Sequence, residues 1–448
     1  MRLSKINILN YKGFEQCEVE FNPKVNVFIG SNASGKTTML TAILKSVYSV
    51  TRKFSQLSRH KELNLSPDDV NYNAKFCLID ATLKDFPNYE SLVNAVVYTK
   101  PLTKEDLNSI KVKQKSAEEL IKTYENELST SPFTIPIFKF YPANRGGLTY
   151  AEQRSQKSYL VSQLEAWSNL YQDAISYSRF FNWFFEQETD ELRLQRDVKD
   201  FTIQNPALRD VRSALSLAFE LLGYGRNIKI KSTQVKREGN STLTPNLILE
   251  NTETKQEESL DNKSDGEKAI ITLISDIAYN LSLAKDFMKD NTFLNSPGIV
   301  IIDEIETHLH PNWQRQIVPI LTTVFPNIQL FIATHSPQIV GSVKSDSVFI
   351  CDNFHVNKVT LKTKGEDTNS LLKYIFNATD RPKEYMDLLQ KFYEGIENNA
   401  TYEQLEQIIG EVKRIESEDN SDSISDLLNE MRLQLEAYKF DREYAENK

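Results

Sequence analysis

The segment Gly30-Ser31-Asn32-Ala33-Ser34-Gly35-Lys36-Thr37-Thr38 constrains this chain more than any other, because it fits G-x-x-x-x-G-K-[ST] and lies between a strand pattern and a helix pattern. Val25-Asn26-Val27-Phe28-Ile29 is a short apolar run that reads as a buried strand, and Met39 to Val47 reads as a helix. In that order, successive backbone N–H groups can wrap a phosphate while the helix presents its positive end to it. The loop predicts nucleotide binding, with Lys36 reaching the β- and γ-phosphates and Thr37 holding Mg²⁺.

Three further pieces fit the same chemistry. Ile299 to Ile302 is an apolar run that delivers Asp303 and Glu304 to the carboxyl end of a predicted parallel strand, the edge at which open α/β sheets bind ligands. Taken alone, two acids after a strand read equally well as a solvated loop. Beside a phosphate loop, Asp303 is expected to complete the Mg²⁺ shell, generally through water, and Glu304 to polarise the attacking water. Ile328 to Ala333 is a second such run and brings Thr334-His335-Ser336-Pro337 to the same edge, where a neutral His335 imidazole would sit near the γ-phosphate. Lys263-Ser264-Asp265-Gly266-Glu267-Lys268 opens an apolar helix from Ala269 to Leu283, and its Ser264 hydroxyl and free N–H groups make a second anion receptor.

With these four pieces in this order, the chain resembles the ABC-type ATPases of the SMC, RecF and OLD branch. The opening Ile6-Asn7-Ile8-Leu9-Asn10-Tyr11-Lys12-Gly13-Phe14 is similar to that branch's first strand and turn. The resemblance implies an α/β, ABC-type P-loop ATPase head in which ATP is sandwiched between two protomers. Ser264, Asp265, Gly266 and Glu267 of one copy would then face the P-loop of another, in a homodimer or higher homo-oligomer. Two positions depart from the family pattern: Ala33 stands where glycine is common, and Lys263 where leucine is usual. No glutamine-loop residue can be assigned, although Tyr141-Pro142-Ala143-Asn144-Arg145-Gly146-Gly147 is expected near it.

The interval of about 220 residues between P-loop and signature lacks the sustained heptads of a coiled-coil arm. Lys104 to Leu128 reads as a charged surface helix. Tyr150 to Leu222 is helical and dense in aromatics, among them Trp167, Tyr171, Tyr177, Phe180, Phe181, Trp183, Phe184 and Phe185. A buried helical lobe is the simplest reading, with Phe181, Phe185 and Leu192 on its core face, and a base-stacking platform is the sharper alternative. Ile228 to Lys236 and Pro245 to Glu250 read as strands around a Gly239-Asn240 turn, followed by a polar, mobile stretch from Asn251 to Asn262. The expected divisions are 1–100, the first half of the head; 101–225, a helical insert; 226–364, the second half; and 365–448, a helical C-terminal docking region.

The formal net charge of −9 argues against a surface that grips DNA throughout, because duplex binding rests on phosphate neutralisation. Local basic clusters occur at Lys111, Lys113 and Lys115, at Arg193, Arg196 and Lys199, and at Lys229, Lys231, Lys236 and Arg237, and each also reads as a solvated face. No run approaches the roughly 20 apolar residues of a membrane span, and the N-terminus carries no signal-peptide pattern. Three scattered cysteines, Cys17, Cys77 and Cys351, suit free thiols. The expectation is a cytoplasmic protein with no membrane partner. Glu304, Glu306, His308 and His310 resemble a metal cluster in composition, yet they fall where related ATPases place a loop facing the partner head.

Strands are expected around Ser347 to Cys351 and Lys358 to Thr363, then helices, with no nuclease centre legible. Gly365-Glu366-Asp367-Thr368-Asn369-Ser370-Leu371-Leu372 and Arg381-Pro382-Lys383-Glu384-Tyr385 are similar to the C-terminal region of PtuA, the ATPase of Septu anti-phage systems and related retron modules. That resemblance implies an ATPase that works with a separate HNH nuclease, PtuB, with nucleic acid engaged mainly through the complex. Tyr385, Leu388, Leu389, Phe392 and Tyr393 form one apolar face at helical spacing, and Leu405, Ile408, Ile409 and Val412 form another. The two faces suit either a partner or the chain's own head. A RecF-like DNA-repair ATPase that clamps DNA directly is the alternative.

Overall fold

Strands buried on both faces need cover on both sides, and the apolar runs of this sequence take that position. The computed structural model describes residues 2–54, 63–84, 91–98, 135–143, 177–224, 228–236, 243–251, 253–284, 293–376, 383–398, 400–419 and 422–446. The chain divides into two units, Met1–Leu371 and Leu372–Lys448.

The first unit begins with β1 (Arg2–Tyr11), β2 (Phe14–Glu20), β3 (Val25–Ile29), α1 (Lys36–Phe54), β4 (Phe76–Lys84), β5 (Ser91–Tyr98) and β6 (Ile137–Tyr141). It continues with α2 (Tyr177–Val198), α3 (Pro206–Leu221), β7 (Ile228–Lys236), β8 (Leu243–Asn251), β9 (Glu257–Ser259) and α4 (Asp265–Ala284). Next come β10 (Gly298–Ile302), α5 (Pro311–Val324), β11 (Ile328–Ala333), α6 (Pro337–Val340), β12 (Val348–Asp352), β13 (His355–Lys358) and α7 (Thr368–Tyr374), whose last residues cross into the second unit.

A six-stranded sheet in the order β13-β12-β3-β11-β10-β6 forms the centre, parallel except for the edge pair β12–β13. Every residue of β3, β6, β10 and β11 is buried. The P-loop strand β3 and the acidic strand β10 are thus separated only by β11, whose end carries His335. A four-stranded antiparallel sheet, β2-β1-β4-β5, and a three-stranded one, β7-β8-β9, complete the strands. Gln329, a polar residue within apolar β11, ties the first two sheets together. Its carbonyl accepts from the Leu3 N–H at 2.8 Å, and its amide donates to the Leu3 and Asn22 carbonyls at 2.9 Å each. Burying that amide is tolerable because its donors and acceptor are satisfied.

Four expectations need correction. The interval 101–225 is not wholly helical, since β6 pairs in parallel with β10 and is the edge strand of the central sheet. Asn251 to Asn262, read as a polar, mobile stretch, contains strand β9 paired with β8, and burial of Leu260 anchors the turn after it. The strand expected at Lys358 to Thr363 lies earlier, at β13, where Asp352 opposite His355 closes a tight hairpin. Leu192 does not face the core, being 59% exposed. On α2 the buried face runs from Phe180, Phe181 and Phe184 to Glu188 and Glu191, whose carboxylates each accept from Arg212 of α3 at 2.7 Å. Lys104 to Leu128, Lys111, Lys113, Lys115, Trp167, Tyr171, Asn144 to Gly147, the Gly239-Asn240 turn and Arg381-Pro382 lie outside the described residues.

In the second unit, α8 (Lys383–Glu397), α9 (Tyr402–Asp419) and α10 (Asp422–Glu446) share one apolar core of Tyr385, Leu388, Phe392, Leu405, Ile409, Val412, Leu427, Leu428, Met431 and Leu435. The two apolar faces read in the sequence therefore pack against one another and against α10.

Candidate nucleotide site

The loop between β3 and α1 bends through Gly30 at φ 145°, Ala33 at φ 61° and Gly35 at φ 109°. A Cβ on Gly30 would lie 2.2 Å from the Cys351 carbonyl oxygen, so glycine is required there by backbone packing as well as by φ. Ala33 takes the left-handed conformation despite its Cβ, which locates the departure from glycine noted in the sequence. The Lys36 ammonium donates to the Gly30 and Ser31 carbonyls at 2.9 and 2.8 Å, which curls the side chain over its own loop. The Ser34 carbonyl accepts from the Phe354 N–H at 3.0 Å, while its buried hydroxyl has no hydrogen-bond partner among the described residues. At the start of α1, Lys36, Thr37 and Thr38 have backbone N–H groups that no earlier helical turn can satisfy.

Strand β10 brings Asp303 to this loop. The Thr37 hydroxyl donates to the Asp303 carboxylate at 2.9 Å, and the Asp303 N–H donates to the Tyr141 carbonyl at 2.9 Å. Asp303 is buried, whereas Glu304 turns to solvent through a left-handed residue at φ 48°. The end of β11 is fixed by Glu306, whose carboxylate accepts from the Thr334 hydroxyl at 2.7 Å and the His335 N–H at 2.6 Å. Nothing in the sequence singles out this role for Glu306, because its partners lie on the next strand.

The charges of these groups act on one another. Burial lowers the Lys36 pKa, while Cys351, Asp303, Glu306 and Glu304 raise it in part. Burial and then the Lys36 cation hold His335 below the ordinary imidazole range, with Glu306, Glu304 and Asp303 opposing them. His335 is thus neutral near pH 7. Burial pushes the Cys351 thiol up to about 12, so this cysteine beside the loop is not a nucleophile at neutral pH.

The signature turn is built as a capping box at the N-terminus of α4. The Ser264 N–H and hydroxyl donate to the Glu267 carboxylate at 2.7 and 2.6 Å, and the Glu267 N–H returns to the Ser264 hydroxyl at 3.4 Å. Asp265 and Glu267 place acids in the first helical turn, where the helix dipole favours them. Gly266 packs tightly, since a Cβ there would lie 2.6 Å from the His308 carbonyl and 3.0 Å from Trp313. The loop after Glu304 has structural duties of its own: the His310 imidazole caps α5 by accepting from the Asn312 N–H at 3.3 Å. Of the basic clusters, Arg193 and Arg196 pair with Asp190 and Asp197, and Lys231 with Glu250 and Glu257.

Two family models match the chain. One is described as "AAA domain, putative AbiEii toxin, Type IV TA system" over residues 127–341, and the other as an AAA ATPase domain over residues 1–86. The retron Ec83 probable ATPase of Escherichia coli is 26% identical, with 88% of this chain and 79% of that protein covered. The retron Vc95 probable ATPase of Vibrio cholerae is 25% identical, with 88% and 83% covered. The chain is similar to both retron ATPases over most of its length. The Septu protein PtuA of Bacillus mycoides is 29% identical over a shorter stretch, 32% of this chain and 20% of that protein. The P-loop, the acidic strand end and the parallel sheet thus occur in a chain similar to AAA ATPase domains, to the retron ATPases and, over a shorter stretch, to PtuA. No helix among the described residues is long and apolar enough to cross a membrane.

Proposed function

We propose that the chain is the ATPase of a PtuA-like anti-phage defence complex, which binds Mg·ATP between two protomers and regulates a separate HNH nuclease. The observation that carries the ATPase reading is the meeting of Thr37, Asp303 and the Lys36-bearing loop at one sheet edge. Residues Gly30 to Thr38 would receive the phosphates through backbone N–H groups, with Lys36 as the mobile cation. Thr37 and Asp303 supply hard oxygen donors, which suits Mg²⁺, an ion that keeps several waters and needs few protein ligands. When bound, it would offset charge on the phosphates. Glu304, exposed at the same edge, would polarise the attacking water. A neutral His335 would donate a hydrogen bond to the γ-phosphate, and Ser264 to Glu267 of a second copy would close the site.

The defence setting rests on the likeness to retron and Septu ATPases. A docking role for 365–448 is supported by large apolar side chains outside the three-helix core, Leu433 at 66% and Phe440 at 70% exposure on α10. Nucleotide binding and turnover by Lys36→Ala and Glu304→Gln test the site: the first should lose nucleotide, and the second should bind it without normal hydrolysis. Purification of the tagged chain from its native host tests the setting, with an HNH protein expected to accompany it. Salt-sensitive binding of DNA by the isolated chain, with no nuclease recovered, would favour a RecF-like clamp instead.

A further inference from the structure

Lys263, just before the signature, stands where the family that the chain resembles usually has leucine, and its surroundings engage the charge it carries. Helix α3 ends in a Schellman motif: Gly223, at φ 93°, donates to the Glu220 carbonyl at 3.0 Å and Tyr224 to the Phe219 carbonyl at 2.9 Å. This termination carries Tyr224 to the start of α4, where its hydroxyl donates to Glu267 Oε1. The Lys263 side chain is 9% exposed, with its ammonium 3.5 Å from the same oxygen, 2.7 Å from Glu258 and 4.7 Å from the centre of the Tyr224 ring. The other oxygen, Oε2, takes both donors of Ser264. Glu267 is therefore held from two sides, by Tyr224 and Lys263 on one oxygen and by the signature serine on the other.

We propose that Lys263 and Tyr224 are positioning residues for ATP hydrolysis, acting through Glu267 on the Ser264 hydroxyl that the signature presents to a second copy's γ-phosphate. The inference rests on the ATPase reading and deepens it. A serine hydroxyl has one hydrogen, so Ser264 must exchange its bond to Glu267 for one to phosphate as the protomers close. An uncompensated carboxylate at that point would compete for the hydrogen and repel the phosphate. Lys263 offsets this charge at short range, and Tyr224 keeps the carboxylate turned toward α3. Burial pushes the Glu267 carboxyl up, but hydrogen bonds from Ser264 and Tyr224 and the Lys263 charge outweigh it and keep the group ionised.

The test uses the full chain with its native partners, measuring steady-state turnover and the affinity of a fluorescent ATP analogue at protomer concentrations too low for assembly. Lys263→Leu is expected to lower kcat about tenfold, the loss of one charge-assisted contact, with analogue affinity unchanged. Adding Glu267→Gln removes the uncompensated charge and should recover most of the Lys263→Leu loss. Tyr224→Phe, which keeps the ring and its packing, should lower kcat by about threefold, again with analogue affinity unchanged. If Lys263→Leu fails to fold, Tyr224→Phe decides. Wild-type turnover in Tyr224→Phe, or a double variant no better than Lys263→Leu, would overturn the proposal. Absence of ATP hydrolysis by the unmodified chain would instead count against the ATPase reading.

Discussion

The Thr37 hydroxyl donates to the Asp303 carboxylate across 2.9 Å, although 266 positions separate the two residues in sequence. Both are placed by backbone: Thr37 by the first turn of α1, and Asp303 by the end of β10, where its own N–H is bonded to the Tyr141 carbonyl. Asp303→Asn retains an acceptor for Thr37 and so should fold normally, but it removes the charge that favours Mg²⁺. Hydrolysis is expected to fall by roughly a hundredfold, as when a group tuning a metal through its shell is lost. Titration of ATP with and without Mg²⁺ should show the metal-dependent part of binding reduced. Turnover within a few-fold of the parent would remove Asp303 from this role.

Ala33 is held at φ 61°, where a Cβ is disfavoured by about 1–2 kcal/mol. Ala33→Gly relieves that cost in the folded chain while adding backbone freedom to the unfolded one, for which glycine gives back about 0.4–1 kcal/mol. A small gain in thermal stability is expected, together with unchanged or tighter ATP binding. A clear fall in melting temperature would show that the alanine methyl contributes packing that outweighs its strain.

His335 lies below the ordinary imidazole range because of burial and the Lys36 cation. Its unfolded value, near 6.5, is higher, so the unfolded chain takes up the proton first and this group's effect is to reduce stability as pH falls through about 6.5. NMR titration of the nucleotide-free protein should place His335 below that value, and Lys36→Ala should raise it. A His335 resonance that titrates above 7, or that ignores the loss of Lys36, would contradict the assigned electrostatics.

Much of this site was legible because its parts are local. Val25 to Ile29 and Ile328 to Ala333 are strands with the limits read from their apolar runs, and the P-loop and His335 follow directly from them. The parts that stayed hidden are those whose partners lie elsewhere in the chain. Gln329 looks like an interruption in a strand, yet it is a staple whose partners are Leu3 and Asn22. Lys263 looks like a departure from the family pattern, yet its ammonium answers Glu258 and Glu267. Helical periodicity found both tail faces apart from Tyr393, which is 39% exposed, but could not say what would cover them. Leu192 misled for the opposite reason: its spacing fits a core stripe, while Glu188 and Glu191 occupy the buried face because Arg212 neutralises them.

The same logic bears on the ion pair beneath the signature helix. Lys139 of β6 and Asp276 of α4 meet at 3.1 Å with 1% and 7% of their side chains exposed, and the Tyr141 hydroxyl donates to the same carboxylate oxygen at 2.7 Å. The pair connects the edge strand to the helix that begins at the signature, and its two charges have little access to water. Lys139→Met should therefore leave Asp276 buried with an uncompensated charge, costing about 3–5 kcal/mol in urea unfolding. Replacing both residues, as in Lys139→Met with Asp276→Leu, removes the desolvation cost together with the attraction and should recover most of that loss. Tyr141→Phe, which deletes one hydrogen bond to a charged group, should cost about 1.5–3 kcal/mol. If single and double variants lose equal stability, the pair matters for its shape in the core rather than for its charge, and the link between β6 and the signature is one of packing.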